Sequence, residues 1–295
     1  MKKSWPIIKK IFFWIFLAHL CWAVYFILKI QPFNDFDPKF FIKIGLILVI
    51  VPVVIVGLIY WFFKSTRAFI NRSLSLIFNI LSICYISSLL YFFLVTVVNP
   101  PITITQLGSL VTGNGLSRDY VSGNAMGSNS KLAVMASEDQ LFPDHDGFDL
   151  KAIKLAMKYN KRHPNKTRGA STISQQVAKN VFLWQGGGFF RKGLEVYFTF
   201  MIESFWSKKK ILQTYLNIAE MGRGIFGVQA AARSYFNKDA KDLTRSEAAM
   251  IAACLPNPKK YTVVPVSRYV ASRYDDIMRQ INNLEGDPDV QDLIR

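Results

Sequence analysis

Residues Glu138 to Asp149 read EDQLFPDHDGFD. Carboxylates and His145 crowd together there, with Phe142, Pro143 and Phe148 among them. The mixture fits two readings. One is an acidic helix end that turns on Pro143 and Gly147. The other is a partly buried polar site. In such a site apolar walls and neighbouring carboxylates raise a carboxyl pKa, which makes a Glu a usable proton carrier near neutral pH. Just upstream, Lys131 to Asp139 (KLAVMASED) reads as a short apolar helix that delivers Glu138 at its end. Just downstream, Asp149 suits the N-cap of a helix with Ile153, Ala156 and Met157 on its inner face. Lys151, Lys154, Lys158 and Lys161 fall on another face of that helix. That face is either solvated or a contact for lipid phosphates.

Further along, Arg168 to Phe182 reads RGASTISQQVAKNVF. Gly169 gives a turn, and Ser171 or Thr172 can cap a helix. Gln175, Gln176 and Lys179 then come within one helical turn. Amide donors beside an ammonium suit a phosphate or sugar hydroxyls. A Ser-x-x-Lys nucleophile is excluded, because Ser174 stands where the lysine would be needed after Ser171. Gly186 to Gly188 form a hinge-like break. Phe190 to Trp206 (FRKGLEVYFTFMIESFW) then reads as a helix apolar nearly all round, central in the core or dipping into lipid. Arg191 and Glu195, at i and i+4, share a face. Glu203 reads as a structural partner. Lys208, Lys209 and Lys210 would open the next helix against its dipole, which points to an external anion or to a solvated turn. Gly222 to Gly227 turn the chain, and Val228 to Phe236 is another helix. Thr244 and Glu247 form a capping box for Ala248 to Leu255. The tail to Arg295 reads as one more amphipathic helix and a frayed end.

The chain has 295 residues, 51% of them hydrophobic, and a formal net charge of +16. Three apolar runs occupy the first hundred residues: about 11–28, 44–63 and 73–98. The middle run carries no charge for twenty residues, enough for a hydrocarbon core of about 30 Å. The first is long for a signal peptide and lacks a small-residue cleavage site, so it is expected to be retained. Lys2, Lys3, Lys9 and Lys10 precede the first span, and Lys64, Arg67 and Arg72 fill the second loop. The positive-inside rule then puts the N-terminus in the cytoplasm and everything after Val98 outside. A basic protein tied to a membrane meets anionic lipid head groups or phosphates rather than nucleic acid. The expected organisation is a membrane region over 1–98, a linker over 99–130 and a helical domain over 131–295. Cys21, Cys84 and Cys254 show no metal-type spacing, and His145 has no second histidine at ligand spacing. No strand-rich region, internal repeat, dinucleotide fingerprint or Walker loop occurs.

Five blocks in order carry a resemblance. They are Glu138-x-x-x-Phe142-x-x-His145-x-Gly147-x-Asp149, Gly169 to Gln176 continuing to Lys179 and Asn180, Arg191-Lys192-x-x-Glu195, Lys208-x-x-Ile211-Leu212-x-x-Tyr215-Leu216-Asn217, and Ala252-Ala253-x-Leu255-Pro256-x-Pro258 with Tyr261. Together they resemble the peptidoglycan glycosyltransferase family, the transglycosylase domain of penicillin-binding proteins and of monofunctional transglycosylases, over roughly residues 99 to 283. The resemblance implies a mainly α, lysozyme-like, two-lobed domain, here preceded by three transmembrane helices, at the outer face of the bacterial cytoplasmic membrane. It implies lipid II and the growing glycan strand as substrates, β-1,4 polymerisation as the reaction and undecaprenyl pyrophosphate as the leaving group. By that likeness Glu138 is the general base. Lys179, Arg191, Lys192 and Lys208 face the pyrophosphate, with Glu195 holding those cations or a divalent ion. Ser171, Gln175 and Gln176 position substrate. The family uses Mg²⁺ or Mn²⁺, but no all-protein metal cage is visible here, so such an ion would be shared with phosphate.

The chain departs from the family in two places. A glycine run stands where relatives carry an arginine near Gly187, and there are three spans where one is usual. The first two spans are available to a partner, such as another cell-wall or division protein, or to lipid. A membrane-anchored glycan hydrolase of lysozyme type and an inactive membrane scaffold stay open as alternatives.

Overall fold

The structure is a computed structural model that describes residues 67–163, 168–186 and 188–295. The expected spans at 11–28 and 44–63, and Gly187, lie outside the described residues. The chain divides into two compact units, residues 1–95 and 96–295. Helix α1 (Arg67–Val97) is the described part of the first unit and continues into the start of the second. Its 27-residue stretch Asn71–Val97 is long and apolar enough to cross a membrane, with a mean hydropathy of 2.2 over an 18-residue window that is mostly exposed. At about 1.5 Å per residue it exceeds a hydrocarbon core of about 30 Å. This is the third expected span.

The second unit is mainly helical. Its elements are α2 (Ile104–Val111), β1 (Ser117–Arg118), a 3-10 turn (Gly123–Met126), α3 (Ser128–Glu138), α4 (Leu150–Arg162), α5 (Ile173–Phe182), α6 (Phe189–Phe205), α7 (Lys208–Ile218), β2 (Glu220–Gly222), β3 (Ile225–Phe226), α8 (Val228–Phe236), a second 3-10 turn (Ala240–Asp242), α9 (Arg245–Cys254), α10 (Arg268–Leu284) and α11 (Pro288–Ile294). The strands form one small sheet in the order β1-β3-β2, with β1 parallel and β2 antiparallel to β3.

Two groups of helices make the core. Helix α3 packs against α9, α10 and α11, and helix α5 packs against α6, α7 and α2. Residues Ser130 to Ala136 of α3 are all buried, so that helix is central rather than amphipathic. The Ala-rich α9 supplies the small side chains that let α3 come close. Local sequence sets most helix starts. Asp149 caps α4, and Thr244 with Glu247 makes the capping box of α9. Of the two candidates for α5, Thr172 is the cap, with Gln175 completing the box.

Two expectations are corrected. Residues 99–130 are not an open linker. Thr103 and Gln106 form a buried capping box for α2, β1 joins the sheet, and α3 begins at Ser128. The tail does not fray. Asp287 caps α11, and Val290, Leu293 and Ile294 are buried.

One glycine in the acidic loop is required by geometry. Gly147 has φ +88°, and a Cβ there would lie 2.8 Å from Thr199 Cγ2 and 2.9 Å from Glu203 Cγ. Backbone strain of this kind costs about 1–3 kcal/mol. Gly147→Ala is therefore expected to lower the melting temperature of the detergent-solubilised protein by roughly 3–10 °C. A melt within 1 °C of wild type, by differential scanning fluorimetry with about that resolution, would contradict the packing described here.

Candidate active site

Glu138 ends α3, where the helix dipole disfavours an anion. Its Oε2 accepts a hydrogen bond from Gln176 Nε2 at 2.7 Å, and its Oε1 accepts from Ser137 Oγ at 3.4 Å. Gln176 Oε1 in turn accepts from the Tyr215 hydroxyl at 3.3 Å. Burial pushes the Glu138 carboxyl above the usual range. The Gln176 bond and the Arg273 charge oppose this, and nearby Asp139 adds to it. Tyr215 is fully buried, which raises its phenol well above the ordinary value and keeps it a neutral donor. The arrangement is a carboxylate held at a defined orientation with an affinity for protons higher than that of a free glutamate.

The loop after Glu138 is fixed by its neighbour. Asp139 accepts from the Ile173 backbone N–H at 2.9 Å and lies 3.0 Å from His145 Nε2. Gly147 N–H donates to His145 Nδ1 at 3.1 Å. Nδ1 is thus the acceptor and Nε2 carries the proton given to Asp139. Thr172 Oγ1 donates to Gly147 O at 2.7 Å, closing the loop onto the start of α5. His145 is therefore a bracket and not a ligand.

Lys179, one turn along α5 from Gln176, reaches the same cleft. Burial lowers its pKa first, Glu195 and Glu138 raise it, and Arg191 and Lys192 lower it. It lies electrostatically between the base-like carboxyl and a cationic cluster. In that cluster Glu195, 3% exposed, accepts from Arg191 Nη1 at 2.7 Å and from Lys192 Nζ at 2.5 Å. Arg191 Nε is buried with no hydrogen-bond partner among the described residues. Among those residues no three His, Cys, Asp or Glu side chains gather in a metal-like group.

A cleft of about 660 Å³ opens beside these groups, lined among others by Thr105, Gln176, Lys179, Tyr215, Glu220 and Lys259. That volume is ordinary for a small-molecule site.

Several predicted site residues are thus brought together: Gln176 and Lys179 line the cleft, Glu138 is hydrogen-bonded to Gln176 beside it, and Arg191, Lys192 and Glu195 act on Lys179. Others are placed elsewhere. Ser171 is exposed ahead of α5. Gln175 is buried, its Oε1 accepting from Thr172 N–H at 3.1 Å as a helix cap. Lys208 turns inward, donating to Glu203 Oε1 at 2.9 Å and His145 O at 2.5 Å and lying over the Phe142 ring. The anions that offset the first two lysines of α7 belong to the protein itself: Glu203 for Lys208 and Asp292 for Lys209. Ser174 also donates to Glu203, as a structural partner.

Sequence reasoning missed Asp139, Arg273 and Glu220. Arg273 Nη2 donates to Ser137 O at 3.2 Å across 136 residues of chain, which no local pattern signals. Asp139 could have been suspected from its place beside Glu138. Glu220 stands directly before a recognised glycine turn.

Comparison with known proteins accounts for this arrangement. The sequence model of the family described as Transglycosylase matches residues 105–282. Biosynthetic peptidoglycan transglycosylases of Escherichia coli (strain K12 / DH10B) and Shigella boydii serotype 4 (strain Sb227) are each 55% identical over 173 residues, which is 59% of this chain and 72% of theirs. The matched region contains all but one of the residues that line the cleft, and it spans more than half of the chain, so the chain belongs to the transglycosylase family and is a peptidoglycan glycosyltransferase, a hexosyltransferase of cell-wall synthesis.

Proposed function

We propose that Glu138 is the general base of this transfer and that the cations around Lys179 receive the leaving group. Peptidoglycan transglycosylases act on lipid II and glycan strands. The 4-hydroxyl of the acceptor N-acetylglucosamine gives its proton to Glu138. The freed oxygen bonds to the anomeric carbon of the donor N-acetylmuramic acid from the opposite face. The bond from that carbon to undecaprenyl pyrophosphate breaks, and its electron pair leaves with the pyrophosphate. The observation that carries this reading is the Tyr215–Gln176–Glu138 chain, in which a carboxyl of raised pKa is held by a glutamine that lines the same cleft as Lys179. A cation fixed where charge develops lowers the barrier without reorganising at the moment of reaction. Arg191 adds a buried N–H with capacity left for a phosphate oxygen.

The described residues do not fit a resident Mg²⁺ or Mn²⁺. Each Glu195 oxygen already accepts from a cation, so a divalent ion there would meet the charges of Arg191 and Lys192 at close range. Charge compensation accordingly rests on the three side-chain cations in this reading. The single described span supports membrane anchoring, and the basic loop ahead of it supports a reading in which the domain lies on the outer face of the cytoplasmic membrane. The first two expected spans remain part of this multi-pass reading, as do anionic lipids and partner proteins.

Glu138→Gln is expected to lower kcat for lipid II polymerisation by about 10²–10⁴ while leaving the melting temperature near that of wild type. Near-normal synthesis would remove Glu138 from the role. The pH profile has a definite sign. Glu138 must be ionised, so the rate rises with pH through its raised pKa. Lys179 must be charged, so the rate falls as pH climbs through its lowered pKa. The bell is therefore narrower than free Glu and Lys would give. Lys179→Arg should push the alkaline limb to higher pH, and an unmoved limb would assign it to another group. For topology, a periplasm-dependent reporter fused after Arg295 should be active in cells, and an inactive reporter beside an active cytoplasmic one would reverse the orientation.

A further inference from the structure

Glu220 is a carboxylate in the cleft that the reaction scheme leaves unused. It opens β2 opposite Phe226 of β3, and its side chain is 12% exposed. Its Oε1 accepts from the Gly224 backbone N–H at 3.3 Å, a bond that braces the hairpin. Its Oε2 has Lys259 Nζ at 3.8 Å, too far for a hydrogen bond. One oxygen is thus committed to the fold, and the other keeps its accepting capacity at the cleft wall. The wall is shared with Gln176, which holds Glu138. The two carboxylates also act on one buried thiol. Cys254 is pushed up to about 12 by burial first, then by Glu138, with a smaller contribution from Glu220.

The chemistry of the ligand at Oε2 follows from what a carboxylate accepts. It repels a diphosphate and takes hydroxyl or amide N–H donors, which are abundant on an N-acetylhexosamine ring. Lys259 is the cation whose charge acts on Glu220, whereas Lys179 feels Arg191 and Lys192. Among the described residues Lys259 is the cation paired with Glu220, and none of Lys179, Arg191 or Lys192 comes within ion-pair distance of it. We propose that Glu220 is a sugar-binding residue, its Oε2 accepting a hydroxyl or acetamido N–H of the acceptor aminosugar whose 4-hydroxyl faces Glu138. The acceptor assignment rests on Glu138 being the base; the sugar contact itself does not. Burial also raises the Glu220 carboxyl, against the Gly224 bond and the Lys259 charge, so near its pKa it can donate as well as accept.

Glu220→Gln separates this role from the hairpin brace, because the amide oxygen still accepts from Gly224. The expected result with lipid II is a KM raised about tenfold, since a charge-assisted bond becomes a neutral one, with kcat within about threefold and an unchanged melting temperature. Equilibrium binding of labelled lipid II in micelles to Glu138→Gln and to the Glu138→Gln/Glu220→Gln double variant should show the same tenfold difference without turnover. An unchanged KM and unchanged binding would overturn the proposal. So would a fall in melting temperature with KM and kcat impaired together, which is what a purely structural brace produces. Should Glu138→Gln itself polymerise normally, the base reading fails, and the KM of Glu220→Gln in the otherwise wild-type protein still decides whether Glu220 holds sugar.

Discussion

The site depends on one buried carboxylate that takes no part in the chemistry. Asp139 accepts from the first backbone N–H of α5 and from His145 on its own loop. The N-terminus of a helix is where a negative charge is most favoured. Satisfying that charge there ties the end of α3 to the start of α5. Gln176 stands one turn into α5, so the same bond that neutralises Asp139 brings the amide to Glu138. Without it, Asp139 would be a buried charge lacking its partners, which is costly. The two helix groups are thus joined at the point where the cleft needs them joined.

That junction arranges charge in a gradient. Two adjacent acids have opposite environments. Asp139 has a backbone donor and an imidazole as hydrogen-bond partners. Glu138 is buried at a helix C-terminus, which disfavours its charge more than the Gln176 amide and Arg273 restore it. Lys179 follows on the same face of α5 as Gln176, and its charge is disfavoured by burial but restored by Glu195 and Glu138. The pKa values of a proton acceptor and a cation are thus drawn toward each other from opposite directions. Tuning by environment in this way lets groups of ordinary chemistry exchange a proton and steady a leaving anion in one cleft.

Much of this is legible from short-range patterns. The caps at Asp149, Thr172 and Thr244 are written within four residues, and each forms as the spacing predicts. The helix carrying Glu138 and the Arg191–Glu195 pair are likewise local. What escapes is anything decided at long separation. Lys208 reads as a cation awaiting an outside anion, because its partners Glu203 and the His145 carbonyl meet it only in the folded chain. Residues 99–130 read as a linker because glycines and prolines dominate, yet Asn217 accepts from Val121 N–H at 3.1 Å and donates to its carbonyl at 3.0 Å, pinning that segment from 96 residues away.

The adjacent glutamines of α5 show why residue type alone cannot assign a role. Successive helical positions differ by about 100°, so Gln175 and Gln176 cannot serve the same surface. Gln175 occupies the third position after the Thr172 cap, and its side chain is drawn back to the Thr172 N–H that would otherwise be unsatisfied. Gln176 is rotated away from that duty and reaches across to the neighbouring helix group, accepting from Tyr215 with its oxygen and donating to Glu138 with its nitrogen. The amide cannot flip without setting its NH₂ against the phenol hydrogen and its oxygen against the carboxylate. Tyr215 thus fixes the direction of the Gln176 amide, and the amide fixes the carboxylate. A neutral relay of this kind orients a base, and although its hydrogen bond draws the pKa down, burial outweighs it and the carboxyl stays above its ordinary value.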